Sequence, residues 1–184
     1  MTVICNLLLF QAGWFACVIG AAQGQPWAGS LIALAIVGGH LARAACPRRE
    51  LALVLLAALI GALWDSALAA TGWIAFVSGQ WVAGTAPHWM IALWMIFATT
   101  LNVSLAWLKD RLPVAALAGS IGGPLAYFGG AKLGALEFVA PVPALIALAV
   151  AWGLLTPLLL VLARRFDGYG LRRMPAIHGE ADHA

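Results

Sequence analysis

Apolar residues run along this chain in six blocks, each interrupted by a short polar or turn-forming break. The blocks cover about residues 3–22, 28–45, 51–71, 88–108, 114–134 and 143–163. Each is close to the ~20 residues that a helix needs to cross a hydrocarbon layer about 30 Å thick. The breaks are Gln23-Gly24-Gln25-Pro26-Trp27, Cys46-Pro47-Arg48-Arg49-Glu50, the glycine- and tryptophan-bearing stretch 72–87, Lys109-Asp110-Arg111-Leu112-Pro113, and the region of Pro141 and Pro143. A polar tail, 164–184, follows. The pattern predicts an all-α polytopic membrane protein: six transmembrane helices in one compact bundle over residues 1–163, with cytoplasmic N- and C-termini and a cytoplasmic tail over 164–184.

Composition agrees. Of 184 residues, 64% are hydrophobic and only 9% are charged, against roughly 25% charged in a soluble domain. So few charges cannot coat a soluble surface. Disordered chains, nucleic-acid modules and disulfide scaffolds are excluded on similar grounds, and three cysteines without a C-x-x-C pair read as packing residues. The net charge of +3 is not a nucleic-acid footprint but a topology signal. Arg43, Arg48, Arg49, Lys109, Arg111, Arg164, Arg165, Arg172 and Arg173 all fall on one side of a six-span path, and only Lys132 falls near the other. The positive-inside rule makes the crowded side cytoplasmic. A secretory signal over 1–22, with Gly20-Ala21-Ala22 as its cleavage site, is the competing reading of the first block. The lack of a basic n-region and the presence of Asn6 and Gln11 count against it.

Polar groups within a span are costly and each needs a reason. Asp65 is the foremost. Ala58, Gly61, Ala62 and Ala69 share its helix stripe, so it should face the bundle interior, either as a ligand, proton or ion site or as a structural hydrogen bond or ion pair. Lys132 is its natural partner, with Glu137 as a rival for the lysine. Thr99, Thr100, Asn102 and Ser104 read as interhelical glue, as do Asn6 and Gln11. His40 reads as an interfacial residue, whereas His88 is placed to line an outward pocket with Asp65 and Trp64. Trp27, Trp73, Trp81, Trp89 and Trp107 fall at the interfaces; Trp14, Trp64, Trp94 and Trp152 lie deeper and read as core.

The fifth block carries two small-residue rows, Gly122-Ala126-Gly130-Gly134 and Ala115-Gly119-Gly123, which predict a central, closely packed helix. Pro124 predicts a kink in it. "GGHLA" at 38–42 and "GGPLA" at 122–126 hint at an inverted repeat, although chance in so Gly- and Ala-rich a chain explains them as well. His178, Glu180, Asp182 and His183 in the tail read as a solvated end rather than a metal site. No nucleotide loop, nucleophile elbow or zinc-protease motif is present.

The residues Asn6, Phe10-Gln11, Gly13-Trp14-Phe15 and Asp65, with "PHWMIALWMIFATTLNVSLAWL" from Pro87 and "GSIGGPLAYFGGAKLGAL" from Gly119, resemble the bacterial membrane family catalogued as domain of unknown function 2878. The resemblance reaches to about Arg165. It implies a small inner-membrane protein of bacteria, with genes near fatty-acid-modifying methyltransferases and so a membrane-lipid context. By the same resemblance Asp65, Trp89, Trp94, Gly123, Pro124 and Tyr127 are the positions to test.

The candidate ligand-binding set is therefore Asp65, Trp64, His88, Trp89, Trp94, Asn102, Pro124, Tyr127 and Lys132, with no catalytic or metal residues and no cofactor. The expected function is binding or transport of a small amphipathic or lipid-like molecule. The alternatives are a non-catalytic membrane partner or anchor for lipid-modifying enzymes, and an intramembrane enzyme. Expected partners are membrane lipids, a second copy of the chain or other membrane proteins, and not nucleic acid.

Overall fold

The computed structural model describes residues 2–170. Within them lie six α-helices: α1 (Val3–Ala22), α2 (Pro26–Arg43), α3 (Pro47–Ala70), α4 (His88–Leu101), α5 (Leu112–Lys132) and α6 (Pro141–Arg165). Proline occupies one of the first two positions of α2, α3, α5 and α6, where its fixed φ suits a helix start and its missing N–H is not needed. α1 and α5 stop in the same way. Gly24 (φ 71°) and Gly134 (φ 89°) take the left-handed conformation. Their N–H groups, with those of Gln25 and Ala135, turn back onto the carbonyls of Ala21 and Gly20, and of Ala131 and Gly130.

α1, α3, α5 and α6 are long and apolar enough to cross a membrane. Their outer faces expose Leu8, Leu55, Leu59, Leu63, Leu117, Leu125, Ile146 and Leu154, an apolar covering that water would not tolerate over so wide an area. α2 has 18 residues but is less apolar. α4 has 14 residues, about 21 Å of helix at 1.5 Å per residue, against the roughly six turns expected from a block ending near residue 108. The chain instead unwinds at Asn102 and passes through turns into a 3-10 segment, Ala106–Leu108. Polar side chains there bond back into the last turn of α4 and out to other elements. Thr99 and Thr100 hydroxyls bond back to the Ile96 and Phe97 carbonyls, and the Asn102 amide reaches Glu50 and the Phe166 carbonyl.

The short α4 is the centre of the bundle. Eleven of its 14 residues are buried, and α1, α2, α3 and α6 surround it. The expectation of a central α5 is therefore corrected: α5 lies at the edge, packed chiefly along α6. Only its Ala115-Gly119-Gly123 row faces that neighbour; Gly122 has no atom within 4 Å of where a Cβ would stand. α5 also runs unbroken through Pro124. The two halves do not pack alike, since α1 lies along α2 whereas α4 and α5 touch at most slightly.

Two short strands modify the all-α expectation. β1 (Ile74–Phe76) pairs antiparallel with β2 (Leu136–Phe138), with Ala75 opposite Glu137. Ile74 and Phe76 turn inward and Ala75 outward, a period-two pattern too short to stand out beside the long helices. This ribbon ties the α3–α4 loop to the α5–α6 loop and closes one end of the bundle. The opposite end gathers the α2–α3 loop, the α4–α5 connection and the residues after α6. The Cys46 N–H bonds the Gly168 carbonyl, Lys109 Nζ lies 2.7 Å from Asp167, and Arg164 Nη2 lies 3.3 Å from Asp110. Residues 166–170 of the expected polar tail thus fold against the bundle; Arg172, Arg173, His178, Glu180, Asp182 and His183 lie outside the described residues.

Candidate functional site

The buried stripe of α3 comprises Glu50, Leu53, Val54, Ala57, Ala58, Gly61, Asp65 and Leu68. Its spacing is that of one helix face, so the two acids of α3 point inward near opposite ends of the same face.

Asp65 is fully buried. Trp94 Nε1 donates to its Oδ2 at 2.7 Å, and the Tyr127 hydroxyl donates to its Oδ1. Two glycines make this geometry possible. A Cβ on Gly61 would stand 2.1 Å from Trp94 Cγ, and a Cβ on Gly123 would stand 2.2 Å from Trp152 Cγ. Each glycine is thus a slot for an indole. Each slot lies one helical turn before the polar group that matters: Asp65 is four residues after Gly61, and Tyr127 four after Gly123. The two slotted rings stack on each other with centroids 4.6 Å apart and planes 17° from parallel. α3, α4, α5 and α6 are pinned together at this point.

These rings form the inner wall of a cleft between α1 and α5. Its wider part has a volume of about 470 Å³, and Phe10, Gln11 and Trp14 of α1 face Gly119, Gly122, Leu125 and Ala126 of α5 across it. Trp152 and Thr156 of α6 and Phe97 of α4 form its floor. A smaller void of about 70 Å³ continues inward to Trp89, Trp94 and Tyr127. No Lys, Arg, Asp or Glu lines either part. Gln11, Gly122 and Leu125 are exposed on the outside of the bundle, so the cleft opens sideways between two helices rather than at an end.

The sequence-derived set divides among several places. Asp65, Trp94 and Tyr127 are in direct contact, and Trp89 lines the inner void while its Nε1 bonds the Ser78 carbonyl at 2.9 Å. Pro124 sits on α5 beside Gly123, half-buried. Trp64 is half-buried, and its indole N–H has no hydrogen-bond partner among the described residues. Lys132 does not pair with Asp65 or Glu137: its Nζ lies 5.3 Å from the centre of the Phe128 ring. Both Asp65 oxygens are already filled by neutral donors, which removes the reason for the expected ion pair. His88 does not join Asp65 either. Its Nδ1 is 2.8 Å from Ser30 Oγ and its ring stacks on Trp27 at 4.1 Å.

Asn102 belongs to a second buried cluster, at the basic end. Glu50 Oε2 lies 2.8 Å from His40 Nε2, while its Oε1 accepts from Asn102 Nδ2 at 2.6 Å and from the Gly168 N–H at 2.8 Å. The Tyr169 hydroxyl donates to the His40 carbonyl at 2.7 Å. Beside it the Ser104 hydroxyl bonds Asn6 Oδ1 at 2.6 Å, and the Asn6 amide bonds the Thr99 carbonyl. His40 and Glu50 were legible only as boundary residues, yet both are buried. The available signal was Pro47: a helix starting there puts Glu50 on the face of Leu53, Val54 and Ala57.

Just outside the helices, Asp167 is held below its ordinary carboxyl value of 3.8. Burial by itself would raise it; the bond to Lys109, the charge of that lysine and the N–H groups of Tyr169 and Gly170 outweigh that effect.

A family model described as "Protein of unknown function (DUF2878)" matches residues 3–158. No curated protein and no solved structure matches the chain.

Proposed function

The chain belongs to the DUF2878 family, and from that premise we propose that it is a multi-pass protein of the bacterial inner membrane that binds or moves a small lipid-like molecule through the cleft between α1 and α5. In this reading all six helices pass through the bilayer and both termini are cytoplasmic. Support comes from the charges: Arg43, Arg48, Arg49, Lys109, Arg111, Arg164 and Arg165 cluster at the end that holds Glu50 and Asp167, and Lys132 lies at the other. The short α4 is compatible with six passes because its neighbours, not lipid, cover it.

The observation that carries the proposal is the cleft itself. Its volume of about 470 Å³ falls within the ~300–1,000 Å³ typical of small-molecule sites. It is walled by apolar and aromatic side chains and opens toward the acyl-chain phase, so a ligand enters from the membrane and not from water. Asp65 holds Trp94 and Tyr127 in place behind the wall and has no exposed surface of its own. Its role is to position the wall, not to touch the ligand.

Gly122→Leu tests this. A Cβ at this position has no atom within 4 Å, so the new side chain is accepted by the helix and extends into the mouth of the cleft. A diazirine-bearing C16 chain should photolabel α1, α5 and α6 residues of the cleft in the purified wild-type protein, and the variant should lose at least nine-tenths of that labelling at unchanged stability. Equal labelling of the same residues in both proteins refutes the proposal.

A further inference from the structure

We infer that the molecule taken up by this cleft is an uncharged, single-chain amphiphile whose hydrogen-bonding oxygen lodges midway along the cleft, between Gln11 and Thr156. The inference rests on the reading of the cleft as a lipid-like site and names the chemistry that such a site selects.

Two polar side chains, Gln11 of α1 and Thr156 of α6, line a mostly apolar and aromatic space. Gln11 is the ninth of the 20 residues of α1. It is exposed and lines the cleft, and no hydrogen bond ties its amide to the described protein. An amide midway along an apolar helix, facing hydrocarbon with nothing to bond, is costly. Thr156 is on the opposite wall, only 4% exposed. A buried threonine in a helix ordinarily bonds a carbonyl one turn back, as Thr99 and Thr100 do here over three residues. The Thr156 hydroxyl makes no such bond and has no partner among the described residues. Gly119 brings α5 up to it with no side chain between them: a Cβ there would stand 2.3 Å from Thr156 Oγ1. Gly122, with no atom within 4 Å of where a Cβ would stand, leaves the α5 side of the cleft bare. One donor-acceptor amide and one hydroxyl, both unmet and from different helices, match a ligand oxygen that accepts from one and donates to or accepts from the other.

Charge decides the rest. The lining contains no cationic or anionic residue, so a phosphate or ammonium group in this position would be desolvated without a counter-charge. A bare hydrocarbon would leave both polar groups unmet. A chain ending in, or interrupted by, an alcohol, ester or primary amide satisfies both conditions.

The test uses the purified full chain in nanodiscs, photolabelled by the diazirine C16 probe, with competitors at equal mole fraction in the bilayer. Hexadecanol should displace the probe at least tenfold better than hexadecane, hexadecyl phosphate or hexadecyltrimethylammonium. Gln11→Leu combined with Thr156→Val should bring hexadecanol to within twofold of hexadecane while the probe still labels the cleft. Hexadecane matching hexadecanol in the wild type, a charged competitor outperforming it, or selectivity persisting in the double variant each overturns the inference and leaves the cleft reading intact. Absence of any labelling in the wild-type cleft defeats that reading itself.

Discussion

Gly61→Ala is a one-carbon change with a large calculable effect. The added carbon would stand 2.1, 2.2 and 2.3 Å from Cγ, Cδ1 and Cδ2 of Trp94, where carbon atoms prefer about 3.5–4.0 Å. The indole must therefore withdraw by more than an ångström. That movement breaks its 2.7 Å bond to Asp65 and disturbs its stack on Trp152. Overpacking of a tight core costs about 1–3 kcal/mol. The lost hydrogen bond to a buried carboxyl costs about 1–3 kcal/mol, and the stack adds roughly 0.5–1.5 kcal/mol. Alanine returns about 0.5–1 kcal/mol relative to glycine in a helix. The net loss is about 1.5–7 kcal/mol. Gly122→Ala is the control, because it makes the same chemical change with no atom within 4 Å, and it should gain about 0.5–1 kcal/mol. Reversible unfolding by SDS titration, followed by near-ultraviolet circular dichroism from the paired indoles, reads both effects. Gly61→Ala unfolding at the wild-type midpoint with an unchanged indole signal would refute the slot mechanism.

Three further outcomes follow from the contacts. Asp65→Asn and Lys132→Met should be additive in stability within about 0.5 kcal/mol, since the two side chains do not meet; a larger coupling in a double-mutant cycle would restore the ion pair. Glu50→Ala removes an acceptor shared by three donors and should cost about 3–5 kcal/mol in the same titration, with Glu50→Gln milder because one acceptor survives. Asp167 has its folded value depressed, so its contribution is present above its unfolded value and is lost as pH falls. Melting should hardly change through this group between pH 7 and 5 and should drop below about pH 4. Asp167→Asn should flatten that acid limb, and an unchanged limb would argue against the Lys109 clamp.

Much of the scaffold was readable from apolar block length alone. α1 spans 3–22 as the pattern predicts, and α2, α3, α5 and α6 begin two to four residues early because proline starts each helix sooner than its apolar run. α4 departed furthest. Hydropathy continues past Leu101 through Val103, Leu105 and Leu108, whereas the Asn102 side chain competes with the helix by bonding elsewhere. Within the site, Asp65, Trp94 and Tyr127 were identified individually, but not their mutual contact. The small stripe of α3 reads as a surface for close approach of another helix, and α4 packs there, with Gly61 receiving the Trp94 ring. The Glu50 cluster went unrecognised because an acid between two arginines and a leucine resembles a solvated turn. Its partners lie 10, 52 and 118 residues away, and no local pattern reports such distances.

The Glu50 cluster has a consequence for synthesis. Its ring of partners fills in chain order: His40 precedes the acid, Asn102 arrives with α4, and the main-chain donor of Gly168 arrives only after α6 has been made. The side chain therefore acts as a latch that closes fully only once the chain extends past α6. A chain cut short of that glycine would hold all six helices yet leave one bond of the latch open.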